Sequence, residues 1–196
     1  MPRILIAEDE WLVAFTLQGQ LEELDCEVTG IAQDGREALK LHKETSPDAI
    51  LMDICMPELD GIEATRRIMK ENPTCVIILT ARSERNLVAK AEKAGAMSYL
   101  VKPVSGAQIL PAIEMAQRRF EEFLSLTQEV ASLQDALTTR KLVERAKGIL
   151  MERAHLSEKE AFRRLQKIAM DKRESLKTVT QRIIDTAESF DEFLKP

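Results

Sequence analysis

The sequence predicts an α/β fold with a five-stranded, doubly wound parallel sheet, followed by a long helix and a small all-α domain of three helices. Three observations lead to this prediction. Five short apolar runs alternate with segments of helical periodicity within about the first 105 residues. The central run, residues 49–52, contains no polar residue, which is typical of a strand buried on both faces of a parallel sheet. After Ile109 the pattern is helical, with no convincing break until the 150s.

The predicted strands are short apolar runs bounded by polar or turn-forming residues. The first begins at Arg3 and is followed by an acidic triplet at residues 8–10. The central strand follows Pro47 and ends where Asp53 begins the next loop. In chain order, the strands are predicted over residues 3–7, 27–31, 49–52, 75–79 and 98–101.

Start and stop signals place a helix after each of the first four strands. The first helix covers residues 11–24, with apolar residues at helical spacing at Leu12, Val13, Leu17, Leu21 and Leu24. Residues 34–37 have the form of a capping box and begin the second helix, which ends before Pro47. The third covers residues 62–71 and stops before Pro73, and Gly95 ends the fourth after Ala94.

A long helix follows the last strand. Residues 105–108 form another capping box, and Pro111 falls within the first turns, where it can kink a helix without ending it. Apolar residues then recur at spacings of 4, 3, 3, 4, 3 and 4, close to a heptad seam, at Ala116, Phe120, Phe123, Leu126, Val130, Leu133 and Leu137. This seam either covers the helix's own domain or faces a partner helix. We favour the partner, which predicts a homodimer through the long helix.

The C-terminal segment predicts three short amphipathic helices. The first carries an apolar stripe at Leu142, Val143, Ala146, Ile149 and Leu150. A capping box at residues 157–160 begins the second, and Ser175 begins the third, where Phe190 and Phe193 are assigned to packing. We therefore expect a first domain over residues 1–120, a coiled-coil-like helical linker over 121–138 and a three-helix domain over 139–196.

The composition limits the function classes. Hydrophobic residues make up 44% of the 196 residues and charged residues 31%, and no apolar run approaches the roughly 20 residues of a membrane span. A strand pattern within three residues of Met1 predicts that there is no signal peptide. The three cysteines are odd in number and lack metal-ligand spacing, so reduced thiols in a cytoplasmic protein are expected. These features predict a cytoplasmic protein that makes no contact with membranes.

Charge is divided unevenly along the chain. Residues 1–137 hold 14 lysines and arginines against 23 aspartates and glutamates, a net charge of −9. Residues 138–182 hold 13 against 6, a net charge of +7. Only the basic part, residues 138–182, is expected to bind a polyanion.

Chemically useful side chains follow the predicted strands at their carboxyl ends. Glu8 and Asp9 follow the first strand, Asp53 the third, Thr80 the fourth and Lys102 the fifth. Because parallel strands end at the same edge of a sheet, these groups are expected to converge on one cleft. Three crowded carboxylates need a cation, and an all-oxygen set suits Mg²⁺. This arrangement allows in-line attack by the Asp53 carboxylate on a phosphoryl donor.

Eight short motifs now fall in a recognisable order: Glu8-Asp9, Met52-Asp53, Met56-Pro57, Asp60-Gly61, Thr80-Ala81, Gly95-Ala96, Tyr99 and Lys102-Pro103. With them, residues 1–120 resemble a response-regulator receiver domain of a two-component system, which has a flavodoxin-like fold. The resemblance implies a regulator and not an enzyme, with a sensor histidine kinase as its partner. One departure is Glu8, where many members have aspartate.

The resemblance also implies a role for each residue of the cleft. Asp53 would accept the phosphoryl group, and Mg²⁺ would bind Asp53, Asp9 and the backbone carbonyl of Cys55, with Glu8 nearby. Thr80 and Lys102 would bind the phosphoryl group. Tyr99 would move with Thr80, and the bond before Pro103 would be cis.

The basic segment supplies candidate nucleic-acid contacts. Arg140, Lys141, Arg145 and Lys147 are predicted to lie off the apolar stripe and to stay solvated. Further positive charge follows in the next segment, including Arg163 and Arg164. Gly148 in a helix interior costs about 1 kcal/mol relative to alanine, so its presence suggests close approach of a packed helix or of a ligand.

A second resemblance covers this segment. Its residues are Ala146-Lys147-Gly148-Ile149-Leu150-Met151, Leu156-Ser157-Glu158, Glu160-Ala161-Phe162, Ala169-Met170 and Val179. They make residues 138–186 similar to an ANTAR domain, the RNA-binding output module of antitermination regulators. Many members have alanine where this chain has Thr180, on the face that we expect to be packed. The resemblance implies recognition of paired RNA hairpins that overlap a transcription terminator.

Two other functions stay open at this point. A DNA-binding regulator would use the three helices as a helix-turn-helix, although the sequence lacks a clear short turn with exposed base-reading residues. A signalling adaptor would instead act through protein contacts of the long helix. We favour phosphorylation at Asp53 as the control of an RNA-binding antitermination domain.

Overall fold

The computed structural model describes residues 1–81 and 85–193. The side chains of Phe190 and Phe193, which the sequence assigns to packing, lie outside the described part. The chain divides into two compact units, Met1–Ser125 and Leu126–Pro196. None of the described helices has both the length and the apolar character that crossing a membrane requires.

The first unit contains the predicted sheet. Its five strands are β1 Arg3–Ala7, β2 Glu27–Ala32, β3 Ala49–Asp53, β4 Cys75–Thr80 and β5 Ser98–Val101. All neighbouring strands pair in parallel, in the order β2-β1-β3-β4-β5. The predicted fold class is therefore confirmed.

Helices alternate with the strands and then continue alone. They are α1 Trp11–Glu23, α2 Gly35–Thr45, α3 Gly61–Glu71, α4 Arg85–Ala94, α5 Gly106–Ala154, α6 Glu158–Lys172 and α7 Leu176–Phe193. Pro111 lies inside α5 without ending it. The first of the three predicted C-terminal helices is the end of α5, and α6 and α7 are the other two.

Two apolar layers enclose the sheet. Every residue of β3 and β4 is buried, as expected for central strands with helices on both faces. One layer packs α1 and the start of α5 against the sheet, through Leu17, Leu21, Ile109 and Ile113 among others. The other layer packs α2, α3 and α4 against the opposite face. This packing fixes the strand ends and hence the edge where the candidate site lies.

The apolar residues of α1 do not all face the sheet. Leu12, one of the apolar residues at helical spacing, is 70% exposed. The helix turns Ala14, Leu17 and Leu21 towards the sheet, and Leu12 lies far from this line on a helix of 3.6 residues per turn. Trp11 and Phe15, also exposed, stack with their ring centroids 5.2 Å apart.

Capping interactions set the helix starts close to where the sequence places them. Asp34 Oδ1 accepts hydrogen bonds from the backbone N of Arg36 and Glu37, at 2.7 and 2.9 Å. At α6 the capping box is complete, because Ser157 and Glu160 each accept a hydrogen bond from the other's backbone N. The box at the start of α5 is half formed, since Gln108 Oε1 accepts from Ser105 N at 3.2 Å, whereas Gln108 N donates to the Ser105 carbonyl.

The second unit has a small core of its own. Val143, Ala146, Leu165 and Ile184 form its buried centre, and partly buried apolar residues of α5 and α7 surround it. Thr180 is fully buried, as expected, and its hydroxyl donates to the backbone carbonyls of Leu176 and Lys177. The threonine is thus accommodated on a packed face without an unsatisfied hydroxyl.

The seam of α5 changes character along its length. Ala116 is buried and Phe120 packs against the core of the first unit. The later seam residues Phe123, Leu126, Val130, Leu133 and Leu137 have exposed fractions between 40% and 62%. This apolar stripe therefore lies open to solvent in the single chain.

Candidate functional site

Three carboxylates meet at the carboxyl edge of the sheet. Glu8 follows β1 and is fully buried, Asp9 is exposed, and Asp53 ends β3 with 7% of its surface exposed. One oxygen of each carboxylate lies within 4.8 Å of the other two. The predicted convergence of acidic groups is present in the structure.

Lys102 reaches this cluster from the loop after β5. Its Nζ lies 2.6 Å from Glu8 Oε2 and 3.1 Å from Asp53 Oδ1. Its backbone N donates to the Thr80 carbonyl at 2.8 Å, which continues the pairing of β4 and β5 to the site. The peptide bond between Lys102 and Pro103 is cis, as the family resemblance implied.

The loop after β3 is held tightly against Asp53. Asp60 caps α3 by accepting a hydrogen bond from Glu63 N at 2.8 Å, and Gly61 N donates to the Ile54 carbonyl at 3.0 Å. A Cβ atom on Gly61 would lie only 1.9 Å from the backbone oxygen of Asp53. Any larger residue at this position would displace the main chain that carries the candidate phosphoacceptor.

Burial and crowding shift the pKa values of the site. Burial raises the pKa of Asp53, and Asp9 adds to this effect, while Lys102 opposes it. Burial also raises the pKa of Glu8, again with partial compensation by Lys102. Burial alone would lower the pKa of Lys102, but the contact of its Nζ with the Glu8 carboxylate and the charge of Asp53 raise it overall. The cluster therefore holds more negative charge than one lysine neutralises.

The residues present fit a divalent cation. Glu8 Oε2 is buried and pairs with Lys102 by charge, yet it accepts no well-aligned hydrogen bond from the residues described. Carboxylate oxygens are the ligands that Mg²⁺ prefers, and the surplus negative charge favours a cation. This acidic cluster is typical of the Mg²⁺ site of a receiver domain.

The remaining predicted residues of the cleft lie around this cluster. Thr80 ends β4 and is 2% exposed, and its hydroxyl donates to the Ala81 carbonyl at 3.2 Å. Asp53 pairs in register with Leu79, so Thr80 is one residue further along the neighbouring strand. Cys55 is exposed in the loop after β3. Tyr99 on β5 is 53% exposed, so its ring is turned to solvent.

The second unit corrects the predicted exposure of one candidate nucleic-acid contact. Lys147 was expected to be solvated, but only 10% of its side chain is exposed. Its Nζ lies 2.9 Å from Glu144 and 2.7 Å from Glu158, and these two hydrogen-bonding partners raise its pKa. The sequence prediction was wrong because α6 brings Glu158 against α5, a contact that the periodicity of α5 alone does not contain.

The other predicted basic residues are exposed but differ in their partners. Arg145 forms an ion pair with Glu188 of α7. Arg140, Lys141, Arg163 and Arg164 are exposed and have no ion-pair partner within the described ranges. The first basic segment therefore does not form a uniform charged surface, since it consists of Arg140, Lys141, Arg145 and Lys147.

Gly148 is exposed, and a Cβ atom there would meet nothing within 4 Å. No described element packs against it, which removes the packed helix from the two explanations that the sequence left open. The described residues therefore give no packing reason for a glycine at this position.

A groove beside α6 was not identified from the sequence. Leu150, Ala154 and Leu156 provide apolar lining, and Arg163, Arg164 and Lys167 provide positive charge. The signal for it was present only in part, as three cations within five residues of one predicted helix. Its apolar lining comes from the end of α5 and the following turn, so it requires the tertiary structure.

A parallel sheet in this strand order, with an aspartate at the end of β3, acids after β1 and a lysine after β5, defines a receiver domain. Two family profiles agree with this assignment: the response regulator receiver domain matches residues 4–114, and the ANTAR domain matches residues 131–184. The chain belongs to the response regulator family and carries a C-terminal ANTAR domain, the RNA-binding module of antitermination regulators. Members of this class are regulators and not enzymes.

One relative matches along both parts of the chain. The transcriptional regulatory protein PdtaR of Mycobacterium tuberculosis is 46% identical over 184 residues, which are 94% of this chain and 90% of PdtaR. The chemotaxis protein CheY of Thermotoga maritima is 36% identical over 117 residues, covering 59% of this chain and 98% of CheY. The first similarity extends through the ANTAR region, whereas the second covers the receiver region alone.

Solved structures resemble the receiver region. The signal receiver domain of a modulated diguanylate cyclase from Desulfovibrio desulfuricans G20 aligns with a TM-score of 0.58 at 33% identity, covering 62% of this chain and 97% of that chain. The receiver domain of the response regulator NarL from Mycobacterium tuberculosis aligns with a TM-score of 0.57 at 29% identity, covering 60% and 96%.

Proposed function

We propose that phosphorylation of Asp53 controls the binding of RNA by the C-terminal unit, and that this binding acts in transcription antitermination. One observation carries the proposal. A buried aspartate at the end of β3, 3.1 Å from Lys102 and beside Glu8 and Asp9, occurs in the same chain as an ANTAR domain. The first feature suits phosphoryl transfer and the second suits a polyanionic ligand.

Asp53 is the proposed phosphoacceptor. One of its carboxylate oxygens attacks the phosphorus of the donor in line, and the bond between phosphorus and the leaving group breaks. The leaving group takes the electron pair, and an aspartyl phosphate forms. Lys102, already within 3.1 Å of Asp53, is placed to bind an oxygen of the transferred group.

Glu8, Asp9, Asp53 and the backbone carbonyl of Cys55 are the proposed ligands of Mg²⁺. Bound Mg²⁺ would neutralise the negative charge that develops on the transferring phosphoryl oxygens. Asp9 is the exposed member of the set and Glu8 the buried one, so Asp9 is open to an entering ion. Glu8 positions Lys102 through their 2.6 Å ion pair.

Thr80 and Tyr99 are the proposed switch residues. The Thr80 hydroxyl is buried one residue beyond the strand position that pairs with Asp53, which supports a move towards a phosphoryl group on that residue. Tyr99 is exposed on the neighbouring strand, so an inward move would change the surface of the receiver domain. This change is the proposed signal for the output region.

A sensor histidine kinase is the proposed phosphodonor, and paired RNA hairpins are the proposed ligand. Arg140, Lys141, Arg163 and Arg164 are the better candidates for RNA contact, because they are exposed without ion pairs within the described part of the chain. Arg145 would have to exchange Glu188 for a phosphate, and Lys147 would have to leave two carboxylates. Nascent RNA as the ligand makes the cytoplasm the proposed compartment.

A homodimer through α5 is the proposed assembly. The exposed apolar residues at Phe123, Leu126, Val130, Leu133 and Leu137 repeat at the spacing of a coiled-coil seam. We accordingly retain residues 1–120 as the receiver domain, 121–138 as a coiled-coil-like linker and 139–196 as the RNA-binding domain. Sedimentation over a tenfold range of concentration, with and without phosphodonor, tests the dimer, and an unchanged monomer mass would contradict it.

Phosphoryl transfer is tested with a small phosphodonor and Mg²⁺. Intact-mass measurement is expected to show one added phosphoryl group on the parent and none on Asp53→Asn. Asp25→Asn is the matched control, because Asp25 is exposed, lies outside the site and has a left-handed backbone that asparagine tolerates. Equal labelling of the parent and Asp53→Asn would overturn the assignment.

RNA binding is tested by comparing gel shifts on hairpin RNA and duplex DNA. Preferential binding of hairpin RNA is the expected result. Preferential binding of duplex DNA would support a DNA-binding regulator, and binding of neither would support an adaptor that acts through protein contacts.

A further inference from the structure

One groove of the C-terminal unit combines apolar lining with unpaired positive charge. Its floor consists of Leu150, Ala154 and Leu156, from the end of α5 and the turn that follows. One wall is the face of α6 that carries Arg163, Arg164 and Lys167. The groove has a volume of about 590 Å³, within the range of roughly 300–1,000 Å³ that small-ligand sites occupy.

The three cations of this groove lack direct ion-pair partners. Arg163, Arg164 and Lys167 are exposed and form no ion pair with any residue that the structure describes. Positions three and four apart on a helix lie side by side, so these side chains share one face of α6. The result is a local concentration of positive charge beside an apolar floor.

The one acid in the groove is committed elsewhere. Glu160 precedes Arg163 and Arg164 by three and four residues, a spacing that ordinarily favours an ion pair. Instead, its Oε2 accepts hydrogen bonds from Ser157 N at 2.9 Å and from the Ser157 hydroxyl at 2.5 Å. The carboxylate still interacts with Arg163 by charge, although the two form no ion pair. Because the capping box holds it, both arginines keep their capacity to bind an external anion.

Other parts of the unit are less suited to such an anion. Lys147 is held by Glu144 and Glu158, and Arg145 by Glu188. A second groove is lined by Ile149, Ile168 and Ile183, but its Arg182 pairs with Glu174 and its Arg153 donates to the Ala187 carbonyl. Among the described grooves of this unit, unpaired arginines and an apolar floor coincide beside α6.

We propose that this groove receives one unpaired nucleobase of an RNA loop on its leucine floor, while Arg163, Arg164 and Lys167 bind the adjoining phosphates. The inference rests on the proposed RNA-binding function and assigns that function to particular residues. An unstacked base has two apolar faces, and hairpin loops present such bases to proteins. One guanidinium group can donate two parallel hydrogen bonds to the oxygens of one phosphate, which orients the strand along α6. A paired duplex offers no free base, so the groove favours loops over stems.

The experiment uses the full chain and a two-hairpin RNA chosen from a pool with randomised loops by its binding to the parent. Arg163→Glu with Lys167→Glu is compared with Lys159→Glu with Lys172→Glu, which changes the same net charge on the same helix outside this groove. We expect the groove variant to lose about tenfold in affinity or more, and the control to stay within about twofold of the parent. The salt slope of the groove variant should flatten by about 0.7 for each phosphate that the protein no longer neutralises.

The floor is tested by combining a protein variant with abasic RNA. In the parent, removing the base at one loop position should weaken binding about tenfold. Leu156→Ala should bind the abasic RNA almost as tightly as it binds the intact RNA, because this variant no longer provides the side chain on which the base rests. Leu156→Ala should leave the salt slope unchanged. Unaltered helical circular dichroism and melting confirm folding of each variant, and Arg163→Gln with Lys167→Gln replaces the charge reversal if that variant unfolds.

The outcomes separate the two proposals. Equal loss in the groove variant and the charge control, or no loss in either, overturns the groove while RNA binding by the parent stands. If Leu156→Ala and removal of the base weaken RNA binding additively, the base does not rest on the leucine floor. A parent chain that binds no RNA from the pool overturns the proposed function and the groove together.

Discussion

The acidic edge of the sheet and the basic surface of the C-terminal unit present two kinds of functional site. At the sheet edge, Glu8, Asp9, Asp53 and Lys102 are brought together by the ends of parallel strands. On the helices of the second unit, the same kind of charged side chain is either buried with partners, as Lys147 is, or exposed without them, as Arg163 is. Backbone topology determines the first site, whereas packing between side chains determines the second.

Two glycines, Gly61 in the first unit and Gly148 in the second, make this contrast measurable, and Gly61 is expected to have the larger effect. A Cβ atom on Gly61 would collide with the Asp53 backbone oxygen at 1.9 Å, and this atom belongs to the main chain, which cannot move aside as a flexible side chain could. Gly61→Ala is therefore expected to destabilise the first unit by about 3 kcal/mol, the upper part of the range for overpacking. It should also slow phosphoryl transfer to Asp53. Chemical denaturation followed by phosphodonor labelling measures both effects, and a stable variant with parental labelling would show that the loop is less constrained than the structure indicates.

Charge reversal at two neighbouring positions of α5 tests whether packing governs the second unit. Lys147→Glu places a third carboxylate beside Glu144 and Glu158, so the melting temperature of the C-terminal unit should fall clearly. Arg145→Glu breaks only an exposed pair with Glu188 and should change melting little. Equal melting of the two variants would contradict the burial of Lys147.

Gly148 gives the opposite expectation from Gly61. Because a Cβ atom there meets open space inside a helix, Gly148→Ala is expected to stabilise the second unit by about 1 kcal/mol. If a ligand approaches the backbone at this point, the same variant should bind hairpin RNA more weakly despite its greater stability. Denaturation and gel shifts on one protein sample separate the two effects, and unchanged stability would argue against a helical Gly148.

His42 provides the smallest expected effect and a probe of the first unit alone. It is buried, its Nε2 lies 2.8 Å from the Thr74 hydroxyl, and burial followed by the charge of Lys43 lowers its pKa. A base with a lowered native pKa binds more protons when unfolded, so it reduces stability as the pH falls below about 6.5, the usual value for histidine. The loss of unfolding free energy between pH 7.5 and 5.5 should thus be smaller in His42→Gln than in the parent. An equal loss would contradict the lowered pKa.

The sequence predicted the fold and the composition of the acidic cluster because both depend on short-range patterns. Five apolar runs with intervening helices define a parallel sheet, and a parallel sheet aligns the residues that follow its strands. Asp53 and Lys102 are 49 positions apart, yet each is recognisable from the strand that precedes it. The complete capping box at Ser157 was predictable for the same reason, since all its atoms lie within four residues.

The sequence is least informative where exposure depends on another element. Leu12 fits the helical period of α1, but the sheet covers the face of Ala14, Leu17 and Leu21. Lys147 lies off the apolar stripe of α5, but Glu158 from the start of α6 closes over it. The groove beside α6 requires Leu150, Leu156 and Arg163 to meet from three successive segments. Such contacts leave little trace in the periodicity of any one helix.

The central claim is that phosphorylation of Asp53 controls RNA binding by the C-terminal unit. Its most direct test is the affinity of the full chain for a two-hairpin RNA, measured with and without phosphodonor and Mg²⁺, alongside Asp53→Asn. We predict that phosphodonor raises the affinity of the parent by about tenfold, within the usual range of coupling between two sites, and leaves that of Asp53→Asn unchanged. Equal affinities of the phosphorylated and unphosphorylated parent would contradict the account.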